Sequence, residues 1–440
     1  MSARQALSQL SYIPVGSKRD ETIANDGDAL QLLIGEVDRA PKDELGSGSK
    51  WRFYQAVAIG YTLPLMNTAI LKEKEDRRLL RGHLWAYRNE FAKLPRVEDG
   101  SVVDVVSDRG RFVGRGFYQA AGGIAVRILT RREGEPIDGD LVGRRLSKAK
   151  DYRERLYPGE SVYRWIHGES DRLPGLVVDR YGPVAVVQSS CAFYAAHGDA
   201  VASALLTHEA LEGVQLILPG GQRNVGEVPA SVEVELSGLR FNVDLSHSQK
   251  TGLFLDQREN AQAVRPLVIG ARVFDGHCYA GQWSCHVAAA GAVSVLGVDS
   301  SEFAIGQARA NAERNGLSDR CGFECGDVQT VLQRGDRYDV VLLDPPALAK
   351  SRGQMKKASG LYQALNRDAM LAVEPGGYLI TSSCSHFVDG PAFLEILKRA
   401  ARAAQRDAWL VEERGAARDH PILMAMPETA YLNCMVLRVF

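Results

Sequence analysis

The sequence contains neither a membrane-spanning segment nor a secretion signal. It has no run of about 20 consecutive apolar residues, and it does not open with a basic stretch followed by an apolar one. Its seven cysteines are odd in number and widely scattered, which argues against a disulfide framework. We therefore expect a cytoplasmic protein that neither crosses nor inserts into a membrane.

The chain also has little net charge and no metal-binding pattern. A net charge of −1 excludes a global field that would attract a polyanion. Between Lys72 and Arg155, however, 20 Lys and Arg stand against 14 Asp and Glu, so a local basic surface could bind phosphates. Cys321 and Cys325 have no second Cys or His pair nearby, and we expect no metal site.

A chain of 440 residues exceeds what one core normally serves. Residues 1–66 show no clear periodicity, which predicts an extension with little packing of its own. Short strand-like runs separated by glycine then predict a small β-barrel or sandwich; the runs are Ser101–Val106, Phe112–Phe117 and Ile124–Leu129. A basic helical pattern at 141–157 leads to several strands and an alanine-rich helix at about 194–211, which predicts an α+β unit.

After Asp244, strands and helices alternate, which predicts a doubly wound parallel sheet. The predicted strands include Arg272–Phe274, Val293–Val298, Tyr338–Leu343 and Tyr378–Ser382. The predicted helices lie at Gly281–Ala290, Ser301–Asn315 and Leu361–Val373. Ser300 would cap the second of these helices and Gly316 would stop it. Trp409–Glu412 and Tyr431–Phe440 would add an antiparallel hairpin at the edge.

The loop after the first of these strands has the features of a nucleoside-binding site. Residues Asp275–Gly281 lead directly into a helix N-terminus at the edge of the sheet. Asp299 ends the second strand, where a carboxylate can accept hydrogen bonds from ribose hydroxyls. Because the loop lacks the G-x-G-x-x-G pattern, a single adenosine with a short charged tail is favoured over a dinucleotide. Asp327 would end the third strand and could accept from an adenine amino group, although a helix N-cap fits its position equally well.

Two short strings at the ends of neighbouring predicted strands carry the chemistry. In Leu343–Pro346, two prolines fix the backbone and leave carbonyl groups free to accept from a base or an amine. In Thr381–Ser385, Cys384 stands between two serines at the carboxyl end of its strand. A buried cysteine is usually a core residue, but this position favours a nucleophile. Asp344 and Cys384 together predict a site for chemistry on a planar base.

A set of short stretches occurs in order between residues 67 and 440: Arg81–Trp85, Gly168–Asp171, Leu173–Leu176, Gln249–Gly252, Leu255–Arg258, Asp344–Pro346, Ser383–Ser385 and Asp419–Pro421. Together they resemble the family of S-adenosylmethionine-dependent large-subunit rRNA cytosine-5 methyltransferases with an N-terminal PUA domain. The resemblance implies a PUA-like RNA-binding domain at 67–145, a middle α+β domain facing RNA at 146–240, and a Rossmann-like class I methyltransferase domain at 241–440.

The resemblance also implies roles for individual residues. Cys384 would be the nucleophile and Asp344 its catalytic partner, forming 5-methylcytidine in 23S ribosomal RNA. The cofactor S-adenosyl-L-methionine would contact Lys250, Thr251, Asp256, Arg258, Tyr279, Gly281, Asp299, Asp327 and Asp344. The partner, ribosomal RNA, would be held by Lys72, Arg77, Arg78, Arg81 and Trp85. Without the resemblance, the basic residues of this cluster also fit a solvated helix face.

The sequence keeps two alternatives open. Ala280 and Gln282 replace a threonine and a glycine in the cofactor loop, which would suit an RNA-binding ribosome assembly factor without catalytic activity. Asp-Pro-Pro motifs also suit amine substrates, so an rRNA guanine or adenine nitrogen methyltransferase is the other alternative. Such an enzyme would be favoured by an aromatic residue where this chain has Ala347. The sequence leaves open whether the protein forms a homodimer.

Overall fold

The computed structural model describes residues 67–208, 210–246, 252–348, 352–385 and 387–440. The predicted extension at 1–66 lies outside the described residues. Within them, the chain forms three sheets and one separate hairpin, flanked by helices. The predicted α/β class is confirmed. No helix among the described residues combines the length and the apolar character needed to cross a bilayer.

The first sheet has six strands in the order β2-β6-β5-β4-β1-β3. Its elements are β1 (Thr68–Leu71), α1 (Asp76–Leu80), β2 (Trp85–Tyr87), β3 (Phe91–Lys93), β4 (Val102–Val106), β5 (Phe112–Tyr118) and β6 (Ile124–Thr130). Side chains of alternate residues, such as Val103 and Val105, are buried against a common core. Gly116 allows β5 to approach β6, because a Cβ atom there would lie 1.9 Å from the carbonyl oxygen of Arg127.

The second sheet has five strands in the order β11-β10-β9-β8-β7. Its elements are α2 (Gly139–Leu156), β7 (Val162–His167), β8 (Val177–Tyr181), β9 (Val184–Gln188), α3 (Ala192–Leu206), β10 (Gly213–Leu218) and β11 (Gly221–Gly226). Helix α2 begins where the Asp138 side chain accepts from the backbone N–H of Leu141. The hairpin of β12 (Ser231–Leu236) and β13 (Leu239–Asp244) follows.

The third sheet has seven strands in the order β16-β15-β14-β17-β18-β20-β19. Along the chain its elements are α4 (Arg258–Ala263), β14 (Arg272–Gly276), α5 (Gln282–Ala289), β15 (Ser294–Asp299), α6 (Glu302–Arg314), β16 (Cys321–Cys325), α7 (Val328–Leu332), β17 (Tyr338–Leu343), α8 (Met355–Ala372), β18 (Val373–Ser383), α9 (Gly390–Ala404), β19 (Ala408–Arg414) and β20 (Asn433–Val439). The strands from β16 to β18 are parallel, and β20 and β19 are antiparallel.

Strand β17 shows why the predicted parallel sheet forms. Val340 and Leu342 belong to the core on one face, whereas Val341 and Leu343 belong to the core on the other face. Burying a side chain of this size contributes roughly 1.5–3 kcal/mol. A continuous apolar run is therefore stable only where helices cover both faces of the strand.

Several predicted element boundaries differ from the observed ones, and three of them are informative. Ser301, not Ser300, caps α6, because its backbone is extended and its hydroxyl accepts from the N–H of Ala304 at 3.2 Å. Helix α8 begins at Met355 instead of Leu361, and the following strand begins at Val373, before the expected Tyr378. The turn-forming residues Pro375, Gly376 and Gly377 do not end the strand; the register with β17 shifts there instead.

Candidate active site at the carboxyl edge of the third sheet

The strands that carry Asp344 and Cys384 are neighbours in the sheet. In the parallel pair β17 and β18, Leu343 lies opposite Thr381. The Cys384 thiol donates to the carbonyl oxygen of Pro345, with a sulfur–oxygen distance of 3.8 Å. The structure thus brings the predicted nucleophile beside the Asp-Pro-Pro turn.

A cluster of hydroxyl groups holds the turn that carries Cys384. The fully buried Tyr362 of α8 accepts a hydrogen bond from the Ser383 hydroxyl at 3.2 Å, and its oxygen lies 3.1 Å from that of Ser385. Ser383 and Ser385 are buried, whereas Cys384 between them is half-buried. The cluster therefore fixes the backbone on both sides of an accessible thiol. Sequence reasoning missed Tyr362, which looks like an ordinary core residue of a helix.

Asp344 is a half-buried carboxyl with an unusual proton affinity. Burial raises its pKa to about 7, and the neighbouring carboxylates of Asp256 and Asp275 also raise it. Gln257 donates to Asp344 Oδ1 at 3.0 Å and lowers the pKa. The Trp283 indole N–H also favours the ionised form, although it makes no hydrogen bond of good geometry to any described residue. Both protonation states are therefore accessible near neutral pH.

The loop from Asp275 to Gly281 has a strained and firmly anchored backbone. His277, Tyr279 and Gly281 have positive φ values of 64°, 49° and 76°, which is costly for the two residues that are not glycine. The Tyr279 N–H donates to Asp299 Oδ2 at 3.1 Å. The buried Asn311 amide donates to the carbonyl oxygen of Ala280 at 3.0 Å. Strain held in this way is typical of ligand-binding loops.

Asp275, which sequence reasoning did not assign to the site, is fully buried on β14. Its Oδ2 accepts from the Ser284 hydroxyl at 2.6 Å, but its Oδ1 has no hydrogen-bond partner among the described residues. Burial raises the pKa of Asp275 to about 7. The side-chain oxygen Oε1 of Gln282 is likewise buried without a hydrogen-bond partner among the described residues. Such acceptors beside the loop fit the cationic amino group of the S-adenosylmethionine tail.

The other predicted cofactor contacts lie in different surroundings. Asp327 is exposed and caps α7, where its Oδ1 accepts from the N–H of Thr330 at 2.7 Å. Asp256 Oδ2 accepts from the Tyr431 hydroxyl at 2.6 Å. Arg258 is buried, and it donates to the carbonyl oxygen of Val162 at 2.7 Å. Lys250 and Thr251 lie outside the described residues.

The predicted RNA-binding residues divide into two groups. Lys72, Arg77 and Arg81 are exposed on and around α1. Arg78 instead pairs with Glu90 at 2.7 Å, and the Trp85 indole donates to Glu169 at 2.7 Å. Lys72 Nζ also donates to the carbonyl oxygen of Asn89 at 2.8 Å, so three of the five side chains have partners inside the protein.

Comparisons with known proteins agree with this arrangement. A family model described as a PUA-like domain matches residues 69–131, and one described as an S-adenosylmethionine-dependent methyltransferase matches residues 223–430. Ribosomal RNA large subunit methyltransferase I of Shewanella denitrificans is 35% identical over 401 residues, covering 84% of this chain and 98% of the relative. The chain belongs to this family. The protein of the same name from Photobacterium profundum is 34% identical over 390 residues, with the same shares covered.

Membership of the family confirms that the chain is a methyltransferase that uses S-adenosyl-L-methionine. The predicted PUA-like and methyltransferase parts are also confirmed.

Two solved structures share the fold at 18% identity, each covering 85% of this chain and 100% of the other chain. One is SMU.776 in complex with S-adenosylhomocysteine, with a TM-score of 0.77. The other is a candidate S-adenosylmethionine-dependent methyltransferase from Streptococcus mutans, with a TM-score of 0.76. At this identity they support the fold alone.

Proposed function

We propose that this enzyme forms 5-methylcytidine in large-subunit (23S) ribosomal RNA through a covalent adduct with Cys384. The names of the relatives support the RNA target. The proposed reaction rests on one observation. The half-buried thiol of Cys384 lies 3.8 Å from the carbonyl oxygen of Pro345, and Pro345 directly follows Asp344 in the chain. A thiol and a carboxyl at one sheet edge are the two groups that activation of a cytosine ring needs.

The first step activates the weakly nucleophilic C5 atom of cytosine. The Cys384 thiolate adds to C6 while the protonated Asp344 carboxyl donates a hydrogen bond to N3, where negative charge develops. The N3 position thus shares the carboxyl proton, and C5 becomes an enamine-like nucleophile. With a pKa of about 7, Asp344 retains this proton in part of the molecules at neutral pH.

The second step forms the new bond and releases the enzyme. S-adenosylmethionine supplies an electrophilic methyl group on its sulfonium centre. The C5 carbon takes this methyl group as the bond between the methyl carbon and sulfur breaks, which leaves S-adenosylhomocysteine. The C5 proton passes to water or to a group of the substrate, and the bond between C6 and Cys384 breaks. Aromaticity is restored, and Cys384 leaves as a thiolate.

Binding of RNA and cofactor completes the proposal. The target base must leave its stack to reach the turns after β17 and β18, and the exposed Lys72, Arg77 and Arg81 would hold phosphates nearby. Asp299 would accept from the ribose hydroxyls of the cofactor and Asp327 from its adenine. The limits of the three domains and a cytoplasmic location stay predictions, and homodimer formation stays open.

The proposal is tested with 23S rRNA that contains 5-fluorocytidine. Fluorine at C5 cannot leave as a proton does, so the adduct persists and is seen on a denaturing gel in the presence of cofactor. We expect Cys384→Ala to abolish the adduct and Cys325→Ala, which changes an exposed cysteine, to retain it. Undiminished methylation by Cys384→Ala would falsify the nucleophile assignment.

Mass analysis of the methylated nucleosides separates the alternatives. The proposal requires 5-methylcytidine from unmodified rRNA. Methylguanosine or methyladenosine without an adduct would establish nitrogen methylation instead, and no methyl transfer to any rRNA would favour a binding protein.

A further inference from the structure

Gln257 lies between the two strands that carry the catalytic groups, and its side-chain amide contacts both. It is only 2% exposed. Its Nε2 donates to Asp344 Oδ1 at 3.0 Å and to the Ser382 hydroxyl, also at 3.0 Å. One amide thus links the residue after β17 to a residue of β18 two positions before Cys384.

The orientation of this amide is fixed from behind. The Asn260 amide donates to Gln257 Oε1 at 2.6 Å and to the carbonyl oxygen of Gly415 at 3.1 Å. Asn260 Oδ1 in turn accepts from Arg414 Nε at 2.8 Å. Because arginine has only donors, this chain of contacts defines which end of each amide faces which neighbour. Asp344 therefore faces the NH₂ end of Gln257.

The surroundings of Asp344 make this donor important. Two carboxylates, Asp256 and Asp275, face it and disfavour its ionised form, as does burial. The Cys434 thiol is another titratable group nearby, and the proposed nucleophile Cys384 lies on the adjacent strand. Gln257 is the larger of the two donors that favour ionisation, the other being Trp283.

We propose that Gln257 is a positioning residue for methyl transfer, which holds the Asp344 carboxyl beside the strand that carries Cys384. The inference rests on the proposed role of Asp344. The amide keeps the carboxyl directed towards the base and, as a donor, limits how tightly the carboxyl retains its proton. Gln257 itself contacts neither base nor cofactor in this proposal.

The test is the pH dependence of methyl transfer from labelled S-adenosylmethionine to 23S rRNA. In the proposed mechanism the rate falls on the alkaline side as Asp344 loses its proton. Gln257→Met keeps the length of the side chain but removes the donor, so we expect the alkaline midpoint to rise by roughly one pH unit and kcat to fall roughly ten-fold. The KM for S-adenosylmethionine should stay within about two-fold, since the cofactor loop is untouched.

A second variant and a matched control keep the result interpretable. Gln257→Glu retains the acceptor for Asn260 but presents a carboxyl to Asp344, so the alkaline midpoint should rise further than in Gln257→Met. Gln329→Leu removes a glutamine that donates to the buried Asp368 at 2.7 Å, outside the site. It should leave both the midpoint and kcat at wild-type values.

Asp344→Asn shows which idea fails if the result is negative. An asparagine can donate to N3 without titrating. The Asp344→Asn enzyme should therefore react more slowly, and its rate should not show the alkaline limb, which is the fall in rate at high pH. If Asp344→Asn keeps the wild-type limb, the proposed role of Asp344 fails and the inference fails with it. If the limb disappears in Asp344→Asn while both Gln257 variants keep the wild-type midpoint and kcat, the inference alone is overturned.

Discussion

The half-buried Asp344 and the fully buried Asp275 hold their protons unusually tightly at the carboxyl edge of the third sheet. Asp344 and Asp275 each have a pKa of about 7, mainly because burial disfavours their ionised forms. A folded-state pKa above the unfolded value of 3.8 means that the folded protein binds the proton more tightly. The stability from this proton is complete below about pH 4 and is lost as the pH rises through 7.

Replacing Asp344 should therefore stabilise the protein at high pH. Relative to wild type, we expect the free energy of unfolding of Asp344→Asn to increase by roughly 2–3 kcal/mol between pH 5 and pH 8, because asparagine does not titrate. Urea unfolding at both pH values measures this difference. Asp319→Asn, at an exposed position, should show no such trend, and an equal trend in both variants would contradict the explanation.

At the residue scale, sequence reasoning found the groups that lie in motifs and missed those that depend on distant contacts. Asp344 and Cys384 could be proposed as neighbours because each follows an apolar strand in a short distinctive string. Gln257 stands within a matched stretch, yet its partners lie 87 and 125 positions further along the chain. No local pattern indicates which side chains meet across that distance.

At the scale of single elements, helix α8 supports the turn after β18 through one hydroxyl group. The Tyr362 ring packs against Phe393, with 5.6 Å between ring centroids, while its oxygen contacts Ser383 and Ser385. A single substitution that removes only the Tyr362 hydroxyl can therefore separate the effect of its polar contacts from the effect of its ring packing.

Removing that hydroxyl should slow adduct formation without affecting cofactor binding. In Tyr362→Phe the ring remains, but the two buried serines lose a partner, which costs roughly 1–2 kcal/mol. We expect adduct formation with 5-fluorocytidine RNA to slow roughly ten-fold if the turn loses its fixed geometry. Tyr338→Phe changes another buried tyrosine, on β17, and should react at the wild-type rate. Equal rates for all three proteins would show that the hydroxyl cluster does not position Cys384.

The strands show which elements a sequence can reveal. Tyr338–Leu343 was predicted with its observed limits, since its run from Val340 to Leu343 is apolar and buried on both faces; Asp339 is the one exposed residue of the strand. Gly221–Gly226 was missed because it is a largely exposed edge strand with polar residues between two glycines. This segment is extended because it pairs with β10 along its whole length, and its own composition does not predict a strand.

At the scale of the whole described chain, the segment 415–432 between β19 and β20 contacts parts of all three sheets. Between β19 and β20, the Ala417 N–H donates to the carbonyl oxygen of Asp256 at 2.8 Å. The Asp419 carboxylate accepts from the N–H of Arg164 in β7 at 2.9 Å. Met426 is fully buried in the core of the first sheet, where its sulfur accepts from the N–H of Leu84 at 3.3 Å. The segment therefore connects the PUA-like part to the catalytic part.

Weakening this connection should affect RNA binding more than cofactor binding. Met426→Ala leaves a cavity in the core of the first sheet, and we expect a loss of roughly 2–4 kcal/mol in the free energy of unfolding. The affinity for rRNA should fall, whereas the affinity for S-adenosylmethionine, measured by calorimetry, should stay unchanged. Met424→Ala, at a position that is 97% exposed, is the control. Unchanged stability of Met426→Ala would mean that this contact is dispensable.

The position of β20 also determines when a newly made molecule can become active. β20 follows β18 and β19 in the chain but lies between them in the sheet. While a ribosome is still translating residues 433–439, β18 has an open edge and Ser383 lacks its backbone neighbour Asn433. β18, the strand that leads to Cys384, therefore gains its second neighbour only after those codons have been read and their product has left the exit tunnel.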